Sequence, residues 1–174
     1  MHIYDSDESL AGTVVRLVQQ AVRMGQPALV ICSLQAQAAV LQAMEDEQMD
    51  VEALRRERLL EILDSREVID MLVRNGQPDA DQFNRRMTAL LDHLCRMRDP
   101  CVPVIYADIG DVLVKEGNAA AAVNLDILWN LLAKRYVFSL TCGYAAADLH
   151  EHIPTLEQLQ AICDQHTIVK TRMH

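Results

Sequence analysis

The sequence predicts an α/β fold in three layers, with a mostly parallel sheet flanked by helices. Three observations carry that expectation. ALVIC (Ala28–Cys32) is an unbroken apolar run rich in branched residues, the pattern of a strand buried on both faces. Further strand-like runs, LLEIL (Leu59–Leu63), VPVIYAD (Val102–Asp108) and Phe138–Tyr144, are separated by segments of helical periodicity, the alternation that builds parallel sheets. With 174 residues, 51% of them hydrophobic, the chain has material for one packed domain over residues 1–174 and little room for a second core.

Taken in order, MHIY is short and apolar and reads as the tail of an edge strand. Asp5-Ser6-Asp7-Glu8 supplies a cap and first-turn acids for a helix, whose apolar face is Leu10, Val14, Leu17, Val18, Ala21 and Val22. Gly25 and Pro27 end it. After ALVIC, Ser33 caps a second helix, Leu34–Met44. A phosphate-binding loop belongs at this strand–turn–helix junction, but CSLQAQ has neither its glycines nor its Lys-Ser/Thr.

Asp50–Arg58 reads as a charged helical connector and Asp64-Ser65 as the cap of a helix Arg66–Val73. Asn75-Gly76-Gln77-Pro78-Asp79 is a loop signal. Asp81–Met97 is helical through Phe83, Met87, Leu90, Leu91 and Leu94, and Asp99-Pro100 breaks it. Asp108 then closes a strand at its carboxyl end, where open α/β sheets place ligand groups. Ile109–Lys115 and Ala119–Lys134 read as helices on either side of Gly117-Asn118. Ala145–Pro154 reads as a loop carrying His150, Glu151 and His152. Leu156–Gln165 is the last helix, and Thr167-Ile168-Val169 suggests a final short strand.

Charge narrows the function. The formal net charge is −9, and the basic pieces LRRER (Leu54–Arg58) and NRRM (Asn84–Met87) are interleaved with acids or apolar positions. Direct nucleic-acid binding, which rests on clustered Lys and Arg, is not expected. No apolar run has the ~20 residues needed to cross a membrane, and MHIYDSDES lacks the features of a signal peptide. The five cysteines form no CxxC, and most lie in apolar segments where a free thiol behaves as a small hydrophobe; a reducing cytoplasm fits this usage.

Several groups recur in an order that resembles a known family. They are Asp5-Ser6-Asp7-Glu8, Gly25 to Ile31, Leu63-Asp64, Gly76-Gln77-Pro78-Asp79 with Phe83, Glu116-Gly117-Asn118, Leu125 to Asn130 (LDILWN), Phe138 to Tyr144 (FSLTCGY), and Ile162-Cys163 with His166 and Val169. This set is similar to the MEDS domain, the methanogen/methylotroph and dichloromethane-regulator sensory domain, across essentially the whole chain. The resemblance implies a core like that of RecA and the circadian-clock ATPases without the phosphate loop. It also implies a sensory role, binding small hydrocarbon derivatives and acting through a histidine kinase or transcription regulator. Family members carry Gly-Glu-Met where this chain has Ala107-Asp108-Ile109, and Leu-Glu where it has Leu125-Asp126. Both acids are therefore shorter here by one methylene.

The candidate ligand-binding residues are Ser33, Asp64, Asp108, Asp126, Trp129, Cys142, Tyr144 and His166. Asp108 and Asp126 are two carboxylates that could converge on a polar group, a cation or a proton-transfer site; the structural alternative is a helix cap and an Arg partner. Cys142 and Tyr144 share a strand face, and Cys163 and His166 share a helix face that could meet it. These offer either pocket lining, buried packing or a metal and redox site built on Cys142, Cys163 and His166. Trp129 is a core anchor or a pocket wall, with Asn130 beside it. No nucleophile–base pair stands out among Ser33, Ser65 and Ser139. The expectation is a non-enzymatic sensory domain, without a cofactor, that binds a small organic molecule or a partner regulator and can form a homodimer. The alternatives are a degenerate nucleotide-binding ATPase-like protein and the metal or redox sensor.

Overall fold

A computed structural model describes residues 1–153, 155–168 and 170–171. The elements run β1 (His2–Tyr4), α1 (Asp7–Arg23), β2 (Ala28–Cys32), α2 (Leu34–Asp46), α3 (Val51–Arg56), β3 (Leu60–Asp64) and α4 (Ser65–Leu72). A small hairpin, β4 (Val73–Arg74) and β5 (Gln77–Pro78), leads into α5 (Ala80–Cys95) and β6 (Val104–Ala107). Then follow α6 (Ile109–Lys115), α7 (Ala119–Leu132), β7 (Ser139–Ala145), α8 (Ala146–His152), α9 (Leu156–Cys163) and β8 (Lys170–Thr171).

The main sheet has the order β3-β2-β6-β7-β1-β8, and every pairing in it is parallel. Side chains alternate across it with period two. Leu29 and Ile31 of β2, Ile105 and Ala107 of β6, and Cys142 and Tyr144 of β7 face α4 to α9. Ala28, Val30 and Cys32, with Tyr106 and Tyr4, face α1 and α2. Two apolar cores thus lie on opposite faces of one sheet, which is the expected three-layer arrangement. The all-buried pattern of β2 follows from its central position, with β3 on one side and β6 on the other.

Caps place the helices where their sequences signal. The Ser6 hydroxyl accepts from the Ser9 N–H at 3.2 Å, and Ser33, Asp50, Asp79 and Asn118 do the same for α2, α3, α5 and α7. Among the described residues, no helix is long and apolar enough to cross a membrane.

Five local expectations are corrected. MHIY forms β1, but it sits inside the sheet between β7 and β8 rather than at its edge. The segment read as a loop at Ala145–Pro154 contains α8, a two-turn helix that buries only Leu149. The Asn75-Gly76 loop is a tight hairpin with both residues at positive φ (51° and 75°), a conformation that Asn and Gly adopt at low cost. Cys95 and Cys101, placed among reduced thiols, form a disulfide, whereas Cys32, Cys142 and Cys163 are free. The last strand is Lys170–Thr171; Val169 of the expected Thr167–Val169 strand lies outside the described residues.

Candidate functional site

The two candidate carboxylates belong to separate networks. Asp108 ends β6 beside the ends of β2 and β3, at the point where the chain switches from building one side of the sheet to the other. Its carboxylate accepts from the Ser33 backbone N–H at 3.0 Å and, through a short contact, from the Ser65 hydroxyl. It stands at the N-terminus of α6 but makes no side-chain cap bond there. Burial raises its pKa to about 6, against the lowering effect of those two donors. Asp64 is only half-buried, and its carboxylate accepts from the Arg66 N–H at the start of α4.

A neighbouring acid, Asp111, drew no notice in the sequence because it falls inside a short apolar helix. It accepts from the Tyr4 hydroxyl at 2.9 Å and the Ala145 N–H at 2.8 Å, tying α6 to β1 and β7. Burial lifts its pKa to about 6 as well.

Asp126 is the centre of the second network. It projects from α7 onto β7 and is 4% exposed. The Tyr144 hydroxyl donates to its Oδ2 at 2.9 Å, and the Cys142 thiol donates to its Oδ1 at 3.6 Å. Period-two alternation puts both donors on the strand face that meets α7. His166 approaches from beyond α9, with Nε2 3.7 Å from Asp126 Oδ2. Its Nδ1 lies 2.9 Å from the Ile162 carbonyl oxygen. Among the described residues, no Arg partners this carboxylate. Burial raises the pKa of Asp126, and nearby His166 and the Tyr144 hydroxyl oppose that rise. Burial likewise lifts Cys142 and Tyr144 well above their ordinary values.

Two glycines make room for these tyrosines. A Cβ on Gly110 of α6 would overlap the Tyr144 hydroxyl, and one on Gly143 of β7 would overlap the Tyr106 hydroxyl. The hydroxyl end of each ring lies against a bare backbone.

The Asp126 network opens onto a cavity of about 760 Å³. Trp129, Phe138 and Leu140 form apolar parts of its wall, while Thr13, Arg16 and Gln20 of α1 contribute polar groups. Trp129 is nearly fully buried, edge-on to both Phe83 and Phe138 at centroid distances of 5.0 and 5.8 Å, so it serves as core anchor and wall together. Asn130, one residue on, donates from its side-chain amide to the Gln165 carbonyl oxygen at 2.9 Å, which braces the segment carrying His166.

Of the residues singled out in the sequence, Asp126, Trp129, Cys142 and His166 line this cavity and Tyr144 lies directly behind it. Ser33, Asp64 and Asp108 do not line it. This cavity lies at the amino ends of β1 and β7. Cys163 does not join the converging group, and Asp126 takes its place. The ligand atoms of Asp126, Cys142 and His166 all lie within 4.8 Å of one another.

No curated protein matches the chain. A family model does: it spans residues 1–164 and is described as MEDS, the MEthanogen/methylotroph, DcmR Sensory domain. With nearly the whole length matched, and a parallel α/β sheet covered on both faces by helices, the chain belongs to the MEDS family of sensory domains.

Proposed function

We propose that this domain is a non-enzymatic sensor that takes a small organic molecule into the cavity beside Asp126 and reports its presence to a histidine kinase or transcription regulator. The observation that carries the reading is the cavity itself. Its wall is apolar at Trp129, Phe138 and Leu140, and it ends on a buried polar cluster of Asp126, Cys142 and His166. Such a combination suits a compact ligand with a hydrocarbon body and one polar or polarisable group. Signalling then follows from a population shift: a ligand that prefers one conformation of the α1, α7 and His166 walls favours that conformation.

The sole tryptophan of the chain lines this cavity, which gives the test a local readout. A panel of small hydrocarbon derivatives is screened for a rise in thermal midpoint together with a change in Trp129 emission. At least one compound is expected to produce both, and Leu140→Trp, which fills the cavity, is expected to remove the midpoint rise. Midpoint shifts that persist unchanged in the filled variant would place the ligand elsewhere, and no shift with any compound would leave partner binding alone as the function.

A further inference from the structure

The hydrogen-bonding arithmetic at His166 does not close. Nδ1 faces the Ile162 carbonyl oxygen, which can only accept, so Nδ1 carries a proton and donates it. In the neutral ring Nε2 is then a bare lone pair. Among the described residues it has no hydrogen-bond partner, the side chain is 8% exposed, and it points at the carboxylate of Asp126, another acceptor, 3.7 Å away. Two acceptors facing each other in a buried site favour positive charge beside them, and the Met1 ammonium at the same cavity already acts on Asp126 and Cys142. The third group of the cluster is the Cys142 thiol, a proton that a cation can displace.

We propose that Asp126, Cys142 and His166 form a site for a thiophilic divalent metal ion of the zinc type. The spacing fits. Bond lengths of about 2.3 Å to sulfur and 2.0 Å to oxygen or nitrogen, at tetrahedral angles, separate S and O by about 3.5 Å and N and O by about 3.3 Å. Cys142 Sγ stands 3.6 Å from Asp126 Oδ1 and His166 Nε2 3.7 Å from the other oxygen, Oδ2, and the three ligand atoms lie within 4.8 Å of one another, so a small inward movement on binding completes the tetrahedral set. The surroundings also match what a metal requires of its supporting groups. The Ile162 carbonyl fixes the ring of His166 through Nδ1, and the Tyr144 hydroxyl fixes the carboxylate of Asp126. Three protein ligands leave a fourth position, and all three residues line the cavity, so that position faces it. Binding replaces the thiol proton, which leaves to solvent. The site does not depend on what organic molecule, if any, fills the rest of the cavity.

The test uses the full chain, stripped with chelator and titrated with Co²⁺ alone. One equivalent is expected to bind with a thiolate-to-cobalt charge-transfer absorption, and Zn²⁺ is expected to displace it. Cys142→Ser abolishes the charge-transfer absorption, while Cys163→Ala retains it. His166→Ala and Asp126→Asn lower affinity by more than about a hundredfold, and Tyr144→Phe by about ten- to a hundredfold, as for loss of a supporting group. If the wild-type chain gives no charge-transfer absorption with Co²⁺, or if the absorption survives in Cys142→Ser, the site does not exist.

Discussion

The carboxylate of Asp108 reaches across from the end of β6 to the backbone N–H of Ser33, 3.0 Å away at the end of β2. A helix N-terminus next to a parallel strand is where α/β folds commonly hold an anion. In this chain the anion is supplied internally, by a side chain that is buried and further held by Ser65.

The first prediction concerns pH. The folded-state pKa of Asp108 is about 6 against an ordinary value of 3.8. Between those values the folded chain keeps a proton that the unfolded chain has lost. The stabilising contribution of the protonated group is therefore complete below about pH 4 and lost as pH rises through about 6. Asp108→Asn, which keeps an acceptor for Ser33 and adds a donor toward Ser65, removes this dependence. Urea unfolding at pH 4.5 and pH 7 is expected to show the variant gaining on the wild type by about 2 kcal/mol at the higher pH. Asp111, also near 6, retains its own share of the dependence in both proteins. Equal pH profiles for the two proteins would contradict the assignment.

A second prediction follows for nucleotides. At pH 7 the Asp108 carboxylate is ionised and occupies the N–H that a phosphate oxygen would use, and CSLQAQ offers no lysine to offset the repulsion. Millimolar Mg-ATP or inorganic phosphate is expected to leave the thermal midpoint unchanged. A rise in midpoint with ATP that Asp108→Asn abolishes would instead support the degenerate-ATPase reading.

The third prediction turns on Tyr106. Its hydroxyl is buried and has no hydrogen-bond partner among the described residues. Tyr106→Phe removes a desolvated polar group at nearly constant shape, and is expected to stabilise the chain by about 1 kcal/mol in urea unfolding. Gly143→Ala drives a methyl group into the same ring and is expected to cost roughly 1–3 kcal/mol. Most of that cost should vanish in a Tyr106→Leu background, because the two positions share one volume. Additive losses in the double variant would show that the ring is not the obstacle.

Much of the architecture is legible in the primary structure because it depends on neighbours along the chain. The continuous run ALVIC marks a central strand to the residue, and Ser6 and Ser33 mark helix starts, since a cap bonds only two or three positions away. What is missed depends on partners distant in sequence. α8 is too short to establish a helical period and has no side-chain cap, so Ala146–His152 resembles a loop. Asp126 lies between Leu125 and Ile127 and gives no sign of burial; only the Tyr144 hydroxyl and Cys142 thiol, brought over by β7, explain why an acid is tolerated there. The same distance effect substitutes Asp126 for Cys163 in the converging cluster. The cavity at the amino ends of β1 and β7 depends in the same way on α1 and α7 meeting across the sheet.

Gly110 touches no part of the cavity, yet its lack of a side chain is what admits the Tyr144 hydroxyl that orients Asp126. Alanine at 110 would push the Tyr144 ring aside and with it the donor on Asp126. Gly110 is thus a requirement of the site set by a residue that lines no part of it.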